Sequence, residues 1–68
     1  MQADAQVAYT LTYAPALRAN GSPVAHNLSR QQRQERKTEL VEAPDADAAI
    51  SFFERTTDRM VTGCERAH

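Results

Sequence analysis

Apolar and polar residues alternate from Gln6 to Tyr13, with Val7, Tyr9, Leu11 and Tyr13 on one set of positions and Ala8, Thr10 and Thr12 on the other. A period of two in a run rich in β-branched and aromatic residues predicts a strand with one apolar face. Pro15 ends it, because proline cannot donate to a ladder and biases its predecessor away from helix. The segment Ala14 to Pro23 reads as loop. Asn20-Gly21-Ser22-Pro23 predicts a reversal near residues 19 to 23, since Asn and Gly tolerate positive φ and Pro fixes its own.

The pattern changes period after Pro44. Ala46, Ala49, Ile50 and Phe53 follow the i, i+3, i+4, i+7 template, Asp45 is a good N-cap, and Asp47 falls in the first turn, where the helix dipole favours an anion. These signals predict an amphipathic helix ending near Thr57, with Ser51, Glu54, Arg55 and Asp58 on the solvated side. Phe53 belongs to the core. Phe52 sits at the edge of the apolar arc, rotated about 100° from Phe53 by the helical pitch. Met60 to Glu65 then predicts a short closing strand with Met60, Thr62 and Cys64 on one face.

Between these folded segments lies Ser29 to Glu39, SRQQRQERKTE, eleven residues with no apolar side chain and four cations, Arg30, Arg33, Arg36 and Lys37. Two structures compete for it. Propensity favours helix, and Ser29 with Gln32 fits the S-x-x-Q capping box. Patterning opposes it, because a helix over 30 to 42 would have an apolar face only at Leu40 and Val41, and a short helix that buries nothing is marginal in water. We read the tract as an extended arm that becomes a strand at about Lys37 to Ala43. Leu40 and Val41 then point to opposite faces, which implies cover on both sides of that strand.

The fold expected is therefore α+β, a small antiparallel or mixed β-sheet with one amphipathic helix packed on one face, in the order ββαβ. Residues 1–68 make one domain, with 29–39 as its polar basic segment. A chain of this length buries only about 60% of the surface that its unfolded form exposes, so the core is thin. Small scaffolds without disulfide or metal staples lean on close packing or self-association, which leaves monomer and homodimer both open.

Charge narrows the function classes. Nine acids against eight bases give a net charge of −1, so any electrostatic recognition is local rather than global. The single cysteine, Cys64, cannot form an intrachain disulfide, and the absence of a signal-like N-terminus points to a reducing, cytoplasmic setting. Asn20-Gly21-Ser22 and Asn27-Leu28-Ser29 match the glycosylation sequon, which matters only in secreted proteins and reads as coincidence in this chain. No apolar run approaches the roughly 18 to 20 residues that cross a bilayer.

Candidate chemistry is sparse. Cys64-x-x-x-His68 with a distant His26 falls short of the four paired ligands of structural zinc, and Cys64 reads as a small apolar core residue. The carboxylate pair Asp45 and Asp47 is explained by helix capping, and Glu54 and Asp58 by a solvated face. No motif supplies nucleophile, base and oxyanion donor together, so the chain reads as a non-enzyme without metal or cofactor. Tyr9 and Tyr13 are candidate base-stacking platforms, but with Val7 and Leu11 beside them they belong to the core. Glu39, Glu42, Asp45 and Asp47 form an acidic run that imitates a phosphate backbone only weakly.

The layout of Val7 to Tyr13, KTELVEA, DADAAISFFERT and RMVTGC resembles the small single-domain proteins of bacteriophages and mobile elements, including some anti-CRISPR proteins. The resemblance implies a non-catalytic inhibitor that occupies a surface of a nucleoprotein defence complex in the host cytoplasm; no functional residues carry over with it. The residues themselves nominate Arg30, Arg33, Arg36 and Lys37 as the contact surface, with Phe52 as an apolar anchor. The alternative is a small nucleic-acid-binding protein that uses the same cations on phosphates. A third class is a structural dimer that pairs strand edges.

Overall fold

The structure, a computed structural model, describes residues 6–67. Three strands, β1 (Val7–Ala14), β2 (Lys37–Ala43) and β3 (Met60–Arg66), form one sheet in the order β2-β1-β3. Both outer strands run antiparallel to β1. They are therefore parallel to each other, and the helix α2 (Ala46–Thr57) carries the chain from one edge of the sheet to the other across β1. The architecture is the expected α+β arrangement, with one helix packed on one face of an antiparallel sheet. A second helix, the five-residue α1 (Arg30–Gln34), precedes β2. Among the described residues no helix is long and apolar enough to cross a membrane.

Alternation along β1 makes it the central strand. Leu11 is wholly buried, with Tyr9 and Tyr13 packed beside it on the same face. Val41 and Ala43 of β2 and Val61 and Cys64 of β3 extend that face, and Ala49 and Phe53 of α2 close over it. The rings of Tyr13 and Phe53 meet at 4.8 Å between centroids, tilted by 50°, a favourable geometry for an aromatic pair. Leu11 is the one large side chain that is completely enclosed among the described residues. The core is as thin as the chain length demands.

Among the described residues no helix packs on the other sheet face. In-register partners share a face, which places Thr10 between Leu40 and Glu65, and Thr12 between Thr38 and Gly63. Val41 is buried as one face of β2 requires, but Leu40 is 60% exposed. The expectation of cover on both sides of β2 is thus corrected. Adjacent apolar residues in a strand need two covering layers, and among the described residues only α2 packs on the sheet.

Two further expectations change. Residues 30 to 34 are helical, not extended, because side chains satisfy the free backbone groups at both ends. Ser29 Oγ accepts from Gln32 N at 3.1 Å while Gln32 Oε1 accepts from Ser29 N at 2.8 Å, and the Arg36 guanidinium donates to the carbonyls of Arg33 and Glu35, each at 2.9 Å. Capping alone fixes this short helix, for it buries no residue. In β3, the pairing shifts from Thr12↔Gly63 to Tyr13↔Val61, so Thr62 is an extra residue without a partner across β1. This bulge breaks the alternation expected of Met60, Thr62 and Cys64. Val61 and Cys64 pack against the core instead, and Met60 lies opposite Ala14.

The ends of α2 tie the remaining loops to the sheet. Asp45 accepts from Ala48 N at 2.8 Å, the expected N-cap. Asp58 closes the helix in the left-handed region at φ 53°, and its carboxylate accepts from the Arg18 guanidinium at 3.2 Å and from Ala19 N at 3.3 Å. Glu54 is not simply solvated, since its Oε2 accepts from Val61 N at 3.2 Å. The reversal expected near 19–23 is present. Leu17 bridges to Pro23, and Gly21, at φ 89°, makes the turn between them.

Candidate binding surface

The five residues nominated from sequence fall into two groups. Arg30 and Arg33 lie one turn apart on α1 and so share a side of it. Arg36 follows the helix and Lys37 opens β2. All four are exposed, and every residue from Ser29 to Leu40 is exposed with them. The one ion pair among the described residues is Arg18 with Asp58, so the four cations have no described carboxylate within salt-bridge distance. Arg36 is the exception to their freedom, because two of its hydrogen bonds are spent on carbonyls of its own arm.

Phe52 stands apart, 51% exposed on the flank of α2. It helps to line a cleft of about 690 Å³ between α2 and the free edge of β2. Tyr13, Val41, Leu40, Phe52 and Phe53 make the apolar part of this cleft, and Glu39, Glu42 and Arg59 stand among its polar groups. Consecutive β2 residues from both faces of the strand take part. That is the signature of a cleft running alongside a strand edge, where an added strand would lie. The two large apolar side chains exposed among the described residues, Leu40 and Phe52, both belong to it.

β2 connects the two groups. Lys37 is its first residue and Glu39 already lines the cleft, so about 7 Å of strand separates the last cation from the apolar groove. Sequence reasoning found Phe52 but missed Leu40 as a surface residue. The sequence places Leu40 and Val41 on opposite faces, but which of the two is exposed depends on the layers that the fold supplies.

Among the described residues no three His, Cys, Asp or Glu side chains gather into a metal-sized site. Cys64 is a half-buried free thiol packed against the core, and His68 lies outside the described residues. Glu39 and Glu42 are two of the cleft's carboxylates, but Glu39 shares the helix-facing side of β2 with Val41 while Glu42 shares the open side with Leu40. They do not form a facing acid–base pair.

Searches of family models, curated proteins and solved structures find no match to this chain.

Proposed function

We propose that this protein is a non-catalytic binding protein that inhibits a host nucleoprotein defence complex, in the manner of anti-CRISPR proteins, by occupying one of its protein surfaces in the host cytoplasm. Arg30, Arg33, Arg36 and Lys37 carry the contact, with Phe52 as its apolar anchor. The observation that supports this most is the state of the arm. It buries nothing, yet caps of its own hold it in one conformation, with its cations unneutralised. A charged element ordered before binding loses less conformational entropy when it binds. Clustered cations also raise the encounter rate with an acidic surface.

The test is capture from a bacterial lysate with tagged protein, with and without nuclease, read by mass spectrometry. A stoichiometric nucleoprotein complex that survives nuclease is the expected result. Replacing all four cations by Ala abolishes that capture and leaves the melting temperature within about 4 °C, because surface changes away from packed features stay within roughly 0.5 kcal/mol. Capture that disappears with nuclease would replace this reading by direct binding of nucleic acid through phosphate contacts.

A further inference from the structure

The two edges of the sheet differ in a way that bears on self-association. β3 is interrupted by the bulge at Thr62, and bulges and charge are the ordinary means of blunting an edge. β2 has no bulge, and the charges nearest its central residue, Glu39 and Glu42, fall on opposite faces. Its seven residues pair with β1 in unbroken register from Tyr13↔Lys37 to Val7↔Ala43, it contains no proline, and its middle residue is the exposed Leu40. Such an edge presents unpaired backbone groups beside an apolar cleft.

We infer that the occupant of this cleft is β2 of a second copy of the chain, paired antiparallel about a two-fold axis at Leu40 to give a six-stranded sheet. This seam takes Arg36, Lys37 and Phe52 from the surface assigned above and leaves Arg30 and Arg33 of α1 outside it, so the two contacts compete for those three residues. Three features of β2 support it. A two-fold axis perpendicular to the sheet pairs a residue with its own copy, and centring it on Leu40 is the one register that overlaps the whole of Lys37–Ala43. Leu40 then meets Leu40 of the second copy on the open face. On the helix face, Phe52 of each copy overhangs the seam.

Charge is self-complementary in the same register. The strand enters through Arg36 and Lys37 and leaves through Glu42 and Asp45. Antiparallel pairing sets the basic end of one copy against the acidic end of the other. Arg36 becomes the diagonal neighbour of Glu42 of the second copy, and Lys37 that of its Asp45, each pair occurring twice. Diagonal neighbours in a sheet lie within reach of long side chains. Two like-charge contacts oppose the arrangement: Glu39 is diagonal to its own copy, and Glu35 falls opposite Asp45 of the second copy.

Sedimentation of the full chain from about 1 to 500 μM tests this. The expected result is a shift from 7.6 kDa toward twice that mass, with a melting temperature that rises with concentration. Leu40→Lys holds the chain monomeric over this range and keeps its circular dichroism spectrum. Arg36→Glu and Glu42→Arg each weaken the dimer about threefold to tenfold, and the double variant recovers most of that loss. A wild-type chain that stays monomeric at 500 μM overturns the inference, as does a dimer indifferent to Leu40→Lys. Should Leu40→Lys fail to fold, the charge-exchange pair decides alone, and a double variant no tighter than either single one counts against the seam.

Discussion

Both helices of this chain begin at a polar side chain that accepts from the amide three residues on, Ser29 from Gln32 and Asp45 from Ala48. They diverge from there. α2 runs twelve residues and buries Ala49 and Phe53 against the sheet, whereas α1 runs five and buries nothing. The contrast separates two questions that helix propensity merges. Capping settles where a helix starts, and burial settles whether losing it unfolds the domain. Arg30 and Arg33 sit on the helix whose loss the core does not feel, so side chains there can vary without endangering the fold.

The contrast breaks most sharply at Phe53. Its ring is 6% exposed and packs on Tyr13, where α2 meets the central strand. Truncating a buried phenylalanine costs about 3–5 kcal/mol, while a domain of this length has roughly 3–10 kcal/mol in total. Phe53→Ala is therefore expected to lower the melting temperature by about 12 °C or more, or to abolish the transition. Calorimetry at one fixed concentration checks it. A loss under about 1 kcal/mol would mean that the neighbouring cleft collapses into the vacated space, a relaxation known to reduce such penalties.

Asp45 comes next. Its carboxylate holds the first turn of α2, and the helix cannot fray there without exposing Ala49. Asp45→Ala is expected to cost about 1 kcal/mol, or roughly 4–8 °C in melting temperature. Asp45→Asn sharpens the point, because the amide oxygen still accepts from Ala48 while the charge is gone. Retention of most of the stability in Asp45→Asn assigns the effect to the hydrogen bond, and loss equal to that of alanine assigns it to the helix dipole.

What could be read from the sequence follows the same division. β1 and α2 were legible because their patterns agree with the packing: alternation at Val7 to Tyr13, and a template whose members Ala49, Ile50 and Phe53 α2 packs inward. Two features escaped for different reasons. α1 was misjudged because patterning weighs burial, and this helix is fixed by hydrogen bonds of Ser29, Gln32 and Arg36 that patterning does not see. The bulge at Thr62 was invisible because an extra residue in β3 is defined only by its register against Thr12 and Tyr13. For the surface, the four cations and Phe52 could be nominated from charge and phase alone. Leu40 could not, since its exposure depends on how many layers the finished fold supplies.

The smallest effect is the most telling. Ser29→Ala removes the acceptor for Gln32 N, the same kind of bond that Asp45 makes to Ala48, yet its expected effect on global stability is under about 0.5 kcal/mol. The reason is that α1 touches the core through no buried residue, so its local opening and the global transition are separate events. The loss appears instead as faster amide exchange at Gln32 and Arg33, whose amides the first turn protects. A fall in melting temperature as large as that of Asp45→Ala would make α1 part of the cooperative unit. Removing the four cations would then perturb fold and contact together, and only a substitution that keeps the helix, such as Arg30 and Arg33 to Gln, could isolate the role of charge.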